Sequence, residues 1–275
     1  MQLLRFKEFM MSLNNKVAVV TGAGSGIGRA VAKQLAMKGC HVALVDIQQK
    51  GLDETQKLLS GYSGNFSVHI VDVTKEEQMA ALPQAVLDQH QYIDIIFNNA
   101  GTTIDRSFAA HSIKDWQFII NLNLWGVIYG SHYFLPHLLQ RPEAYIVNTS
   151  SLAGFLGIPT QSSYCVTKAA VKALSESLYA EYKMHNVHVM SVHPGAIKTN
   201  IFNAAMEHAE DKEASQKLFA LVSKVAMNAD KAGAKIVNAM EKKKQRVIVG
   251  FDSKIVEVVK RLFPVFIHKV AAWAF

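Results

Sequence analysis

The stretch that most limits what this chain can fold into lies near its start. Lys16–Thr21 (KVAVVT) is a short, β-branched apolar run that passes directly into Gly22-Ala-Gly24-Ser-Gly26-Ile-Gly28. Such a run reads as a strand buried on both faces, the kind that parallel sheets contain. Apolar residues then recur at helical spacing, at Ile27, Val31, Leu35 and Ala36, and Gly39 closes the segment. His41–Asp46 is a second apolar run and ends on a carboxylate. Strand, glycine turn, helix and strand within about thirty residues make a βαβ unit, whose two strands must be parallel.

The glycines let the backbone turn tightly and approach a phosphate closely, and the helix that follows offers free N–H groups to a pyrophosphate. The spacing is not a strict G-x-G-x-x-G, because Gly22, Gly26 and Gly28 carry Gly24 as an extra member. Asp46 selects among dinucleotides. A carboxylate there accepts both hydroxyls of an adenosine ribose and repels a 2′-phosphate, and neither Ser25 nor Ile47 is the Arg or Lys that would welcome one. NAD(H) is expected over NADP(H).

The alternation continues along the chain. Phe66–Asp72 reads as a third strand, with Asp72-Val73 placed to reach an adenine ring. A helix over Lys75–His90 carries Pro83. A fourth strand, Ile93–Phe97, runs into Asn98-Asn99-Ala100-Gly101. A long helical pattern from Ser112 to about Leu135 contains Asn121 and Asn123. Ala144–Thr149 is a fifth strand ending at Ser150-Ser151, and Ser162–His185 is helical. Val187–Val192 is a sixth strand, followed by His193-Pro194-Gly195-Ala-Ile-Lys-Thr199, and Arg246–Val249 supplies a seventh. No internal repeat or linker interrupts the pattern. One doubly wound α/β domain with a parallel sheet of about seven strands is expected, its ligand in the crevice where strand order reverses.

Within the Ser162–His185 helix, Tyr164 and Lys168 are four residues apart and share a face. A free phenol has a pKa of about 10. A fixed ammonium nearby favours the phenolate, so Tyr164 is expected to have a lowered pKa and to serve as an acid or base. Ser151, thirteen residues upstream at a strand end, could hold a carbonyl oxygen near that phenol.

Together these pieces resemble the short-chain dehydrogenase/reductase family over roughly residues 14–250. The matching segments are Thr21–Gly28, Asp72-Val73, Asn98–Gly101, Asn123-Leu-Trp-Gly126, Ser151, Tyr164-x-x-x-Lys168 and Pro194-Gly195 with Thr199. The resemblance implies a catalytic tetrad of Asn123, Ser151, Tyr164 and Lys168. Asn123 is chosen over Asn121 because it has the glycine three places on, and Ser151 over Ser150 by its distance from Tyr164. It also implies that the cofactor contacts Gly22, Ser25, Gly26, Ile27, Gly28, Asp46, Asp72, Val73, Asn99, Ala100, Gly101, Pro194, Gly195, Ile197 and Thr199, besides Tyr164 and Lys168. Thr199 is expected to hold the carboxamide, and Asn123 to support a water that relays protons to Lys168. Hydride transfer between NAD(H) and an alcohol or carbonyl compound is the implied activity. An NADP-dependent ketoreductase of the same fold and an NAD(H)-sensing regulatory protein are the alternatives, although a sensor needs no proton donor.

The family commonly carries a mobile lid after Thr199. Here residues 200–227 offer Ile201, Phe202, Met206, Leu218, Phe219, Leu221 and Val222, and Leu152, Phe155, Leu156 and Ile158 follow Ser151. They are expected to line an apolar pocket for a lipophilic alcohol or ketone. Two cysteines, Cys40 and Cys165, offer no disulfide framework, and the eleven histidines show no metal-ligand spacing, so no metal and a reducing cytoplasm are expected. Residues 1–13 read as an extension without a signal peptide, and Met10 or Met11 could be an alternative start.

The net charge of +7 is uneven: from Lys224 onward there are eleven basic and four acidic residues, while the rest of the chain balances. No basic stripe interleaved with aromatics suggests nucleic acid. Residues 251–275 form an amphipathic basic tail interrupted by Pro264. Such a tail can lie on an anionic membrane surface, cover a pocket or join subunits. Because the family assembles as dimers or tetramers, packing against protein is favoured over peripheral membrane contact.

Overall fold

The computed structural model describes residues 13–199 and 226–274, together with 201, 209, 213, 216, 220 and 222–224. Strand β1 (Val17–Thr21) is buried at every position, as a continuous apolar run in a central parallel strand requires. Helix α1 (Gly26–Met37) follows the glycine turn and buries Ala30, Val31, Leu35 and Ala36. Strand β2 (His41–Asp46) then runs parallel to β1, from Val17 opposite His41 to Thr21 opposite Val45.

The remaining elements repeat that unit. They are α2 (Gln49–Leu59), β3 (Phe66–Ile70), α3 (Glu76–His90), β4 (Ile95–Asn98), α4 (Ile113–Ile120), α5 (Gly126–Leu138), β5 (Ala144–Thr149), α6 (Ser162–Tyr182) and β6 (Val187–Pro194). After a short pair, β7 (Ile197–Lys198) with β8 (Met227–Asn228), come α7 (Ala229–Glu241), β9 (Arg246–Val249), α8 (Phe251–Leu262) and α9 (Phe266–Ala274). The main sheet is seven-stranded, ordered β3-β2-β1-β4-β5-β6-β9, with every neighbouring pair parallel. Order reverses between β1 and β4, so a crevice opens beyond their C-terminal ends.

Side chains alternate across the sheet and feed two apolar layers. Ala18 and Val20 join the layer holding Val31 and Leu35 of α1 and Ile236 and Val237 of α7. Val17 and Val19 join the opposite layer with Met79 and Val86 of α3 and Phe134 of α5. The base of the sheet is pinned by Asp94, which is buried, accepts from the Val17 amide at 2.8 Å and pairs with Arg141 at 2.8 Å.

Three departures from the expected elements matter. Strand β3 stops at Ile70, where the Val71 amide makes the last ladder bond to the Asp46 carbonyl (3.1 Å), and Val71, Asp72 and Val73 pass on to line the crevice. Strand β4 runs Ile95–Asn98, with Ile93 and Asp94 leading into it. The single long helix expected from Ser112 is divided: α4 and α5 are joined through a π turn at Asn121–Trp125. A π turn holds an extra residue and rotates the side chains it carries relative to the helices on either side. Asn123 lies at its centre.

Candidate active site

A cleft of about 950 Å³ opens beyond the C-terminal ends of β1, β4, β5 and β6. The glycine turn forms one wall. Gly22 and Gly26 have positive φ (67° and 52°), a conformation L side chains rarely adopt, and a Cβ at Gly28 would overlap the Gly22 carbonyl. Ser25 precedes α1 in extended backbone, its hydroxyl caps none of the first amides, and no acidic residue occupies the first turn. Those N–H groups and the positive end of the helix dipole are therefore free for an anion. Arg29 braces the turn from behind: its guanidinium bonds the Gly24 carbonyl, Thr55 Oγ1 (2.9 Å) and Glu54 (2.8 Å).

Asp46 ends β2 beside this turn. Its Oδ2 accepts from the Gly24 amide (2.9 Å) and its Oδ1 from the Gln48 amide (3.0 Å), which fixes the carboxylate against the turn in the cleft lining. Asp72 and Val73 line the same cleft, with Asp72 Oδ1 accepting from the amide and hydroxyl of Thr74 at 2.9 and 2.7 Å. Opposite lie Asn99, Ala100 and Gly101. Thr21 holds them, its hydroxyl oxygen accepting from the amides of Asn99 (2.9 Å) and Ala100 (3.1 Å). The neighbouring Asn98 is structural, donating to Asn148 Oδ1 (2.9 Å) and Ser131 (3.2 Å) beneath the site.

Ser151, Tyr164 and Lys168 line the deeper part together. Ser151 is delivered by the end of β5, where its Oγ accepts from the Ala153 amide at 3.1 Å. Ser150 serves the scaffold instead. It is buried and donates to the Lys168 carbonyl at 2.7 Å, tying β5 to α6. Lys168 is buried, donates from Nζ to the Thr149 carbonyl (2.9 Å) and lies 5.7 Å from the Tyr164 ring centre.

The expected lowering of the Tyr164 pKa does not hold. Burial pushes the phenol up to about 12, the hydrogen bond with Ser151 pulls it back, and Cys165 adds a smaller upward push. The same burial pushes Lys168 down to about 8. Desolvation penalises both charged forms, and the ammonium, committed to the Thr149 carbonyl, does not offset it.

Asn123 and Gly28 are the two expected site residues that do not line the cleft. Asn123 has no accessible surface. Its amide clamps the Thr102 backbone, accepting from the amide at 3.0 Å and donating to the carbonyl at 2.8 Å, and donates to Thr167 at 3.3 Å. Asn121, two residues earlier in the π turn, does line the cleft.

Pro194, Gly195, Ile197 and Thr199 form the far wall. The residue that orders them is Asp252, in the first turn of α8, which itself lines the cleft and accepts from the Ala196 amide at 2.7 Å. Ser253 donates to the His193 carbonyl at 3.2 Å. Ile267 and Ala271 of α9 pack on Leu156, so both tail helices rest on segments that frame the site. Nothing local in the sequence marks Asp252 for this role.

The expected apolar lining is redistributed. Leu152, Ile158, Ile201 and Val222 line the cleft, joined by Phe118 and Leu122, which sequence reasoning missed. Phe155 turns away to stack on His193 (4.4 Å), and Leu156 packs under the tail. Phe202, Met206, Leu218, Phe219 and Leu221 lie outside the described residues. Among the described residues no group of His, Cys, Asp or Glu is arranged to hold a metal.

Comparison with known proteins agrees with this geometry. The short chain dehydrogenase family model matches residues 16–210. The oxidoreductase SadH of Mycobacterium tuberculosis is 37% identical over 257 residues, covering 92% of each chain. Cyclohexanol dehydrogenase of an Acinetobacter strain is 35% identical over 198 residues, 72% of this chain and 78% of that one. A Burkholderia phymatum short chain dehydrogenase/reductase solved with NAD superposes with a TM-score of 0.81 at 29% identity, covering 86% of this chain and 90% of its own. Thermococcus sibiricus alcohol dehydrogenase, solved with 5-hydroxy-NADP, gives 0.74 at 26% identity, covering 86% and 97%. The protein belongs to the short chain dehydrogenase family and is an oxidoreductase of nicotinamide-dependent type.

Proposed function

We propose that the protein transfers hydride between NAD(H) and the carbinol or carbonyl carbon of a lipophilic alcohol or ketone. One observation carries the reading: Ser151, Tyr164 and Lys168 converge in the cleft whose other wall is the glycine turn and Asp46. The bound nicotinamide supplies the hydride acceptor or donor. Tyr164 exchanges the proton at the substrate oxygen, and Ser151 hydrogen-bonds that oxygen as its charge changes. Lys168 stands beside the phenol as a buried cation, and Asn123 acts on the site through Thr102 and Thr167. General acid–base help of this kind is worth about 10²–10⁴ in rate.

NAD is favoured over NADP by the charges that face the ribose end. Asp46 stands there, and Lys168, at the opposite end, is the one cation among the described residues that line the cleft. Arg29, the nearest guanidinium to the turn, is paired with Glu54 behind it. A lipophilic substrate is favoured by Phe118, Leu122, Leu152, Ile158, Ile201 and Val222. The similarity to cyclohexanol dehydrogenase points to an apolar alcohol as well. A homo-oligomer is the expected assembly for a member of this family.

The test is a panel of alcohols and ketones followed by NADH absorbance, with each nicotinamide cofactor in turn. Apolar secondary alcohols with NAD⁺ should give the highest kcat/KM. Tyr164→Phe should abolish turnover while NADH binding persists; near-normal turnover in that variant would overturn the assignment. A protein that binds NADH but turns over nothing in the panel would favour the sensor reading.

A further inference from the structure

The tail has two faces with different chemistry. Its inner face holds the site through Asp252, Ser253, Ile267 and Ala271. Its outer face is apolar. On α8, Phe251, Ile255, Val258 and Leu262 recur at helical spacing and are 78%, 47%, 51% and 66% exposed. Phe266 and Val270 on α9 are also exposed. An amphipathic helix normally turns such a stripe toward a core, and here the core-facing positions are Ser253, Val256, Glu257 and Val259. The stripe therefore needs a partner outside the fold.

Charge around the stripe identifies that partner. Lys254, Arg261 and Lys269 flank it and reach solvent. Both carboxylates of α8 are turned inward: Asp252 to the Ala196 amide, and Glu257, buried, to Arg246 (3.4 Å) and Arg261 (3.5 Å). The positive field extends past the tail, because Lys254 and Lys244 add to burial in holding the Lys235 ammonium below its usual pKa. A second copy docking through this face by a two-fold axis would bring one positively charged patch against the same patch of its partner. An anionic lipid headgroup layer over an acyl boundary matches both the charge and the apolar stripe. No helix among the described residues is long and apolar enough to cross a membrane, so contact would be with one leaflet only.

We propose that the outer face of α8 and α9 docks the enzyme on an anionic lipid surface, with the stripe in the acyl boundary and the flanking cations among the headgroups. Asp252 at the start of α8 lines the cleft, so lipid contact and site geometry share the α8 backbone.

The test is co-sedimentation of the full chain with phosphatidylcholine vesicles that contain roughly one-third phosphatidylserine, against phosphatidylcholine alone. The protein should pellet with the anionic vesicles, remain in solution with neutral ones, and be released by high salt. Lys254→Gln with Arg261→Gln should weaken binding roughly fivefold per residue removed. Leu262→Glu with Phe266→Glu should abolish it, with the circular dichroism spectrum and turnover of a water-soluble substrate unchanged. No pelleting of the native chain overturns the proposal, as does equal pelleting with neutral vesicles or by the double Glu variant. Light scattering that shows an oligomer dissociated by the double Glu variant, without vesicle binding, would assign the face to self-association instead.

Discussion

His193 ties the stability of the fold to pH at a point that touches the active site. It sits near the end of β6 with no accessible surface, its Nδ1 3.2 Å from the Ser151 carbonyl oxygen and its Nε2 3.0 Å from the Ser191 hydroxyl. Phe155 stacks on the ring at 4.4 Å. Burial pushes the imidazole down to about 4, the Ser151 carbonyl pulls it back, and Arg246 and Lys172 add to the lowering. The folded protein thus holds a neutral ring, while the unfolded chain titrates at the ordinary value of 6.5. Between those values the unfolded state binds a proton that the folded state refuses, so stability is fully present above pH 6.5 and is lost as pH falls toward 4. Linkage makes the loss about 2 kcal/mol by about pH 5 and about 3 kcal/mol by about pH 4.

Differential scanning fluorimetry of the native chain and His193→Gln, at about pH 7.5 and about pH 5, measures this. At about 2–4 °C per kcal/mol for a domain of this size, His193 accounts for about 4–8 °C of the acid-side fall in Tm. Buried His90, also pushed down to about 4, and the carboxylates lower the Tm of both proteins, so they cancel in the comparison of slopes. Removing the stack on Phe155 lowers the variant at both pH values and cancels too. The expected result is a variant less stable at neutral pH whose Tm falls by about 4–8 °C less on acidification. Parallel slopes would refute the argument, because a ring that titrates normally in the fold contributes nothing to the difference.

Three further substitutions probe the site. Gly28→Ala places a Cβ against the Gly22 carbonyl and forces the turn open; the overpacking cost of about 1–3 kcal/mol should weaken NADH binding roughly ten- to hundredfold by fluorescence titration, and unchanged affinity would contradict the packing. Asp46→Ala removes both the ribose acceptor and the repulsion of a 2′-phosphate, so the NAD/NADP ratio of kcat/KM should fall by roughly tenfold or more; an unchanged ratio would remove Asp46 from cofactor selection. Asp252→Ala frees the Ala196 amide, and the cofactor KM should rise by roughly tenfold while kcat changes less; a kcat effect with KM unchanged would argue against a role in holding the cofactor wall.

What was legible in the sequence was what short-range pattern sets. The β1 run, the glycine turn and Asp46 lie within one βαβ unit, and the spacing of Tyr164 and Lys168 follows from helix geometry within one turn. Residues joined across the chain were not legible. Asp252 reaches Ala196 across 56 positions, and Thr21 grips the Asn99 and Ala100 amides across 78 and 79. Helices α2 and α7 escaped for a related reason. Their buried positions, such as Leu52, Thr55 and Leu59 of α2, are set in polar surroundings, and Gly233 of α7 is explained only by its contact with Ala30 of α1.

The sign of the Tyr164 shift shows most clearly where local reasoning stops. Spacing alone supplies a cation beside a phenol, and in water that pair would lower the phenol's pKa. In the folded chain the strand ends and the π turn wall the pair in, and desolvation acts on both partners, raising Tyr164 while lowering Lys168. Moving the Tyr164 proton to Lys168 is therefore no remedy at neutral pH, because the ammonium still holds its own proton below about pH 8. The phenol keeps its proton in the resting cleft, where Ser151 can favour its release only as another oxygen takes the negative charge's place. Under the proposed function, a tyrosine that rests protonated is suited to donate to the oxygen of a bound carbonyl compound.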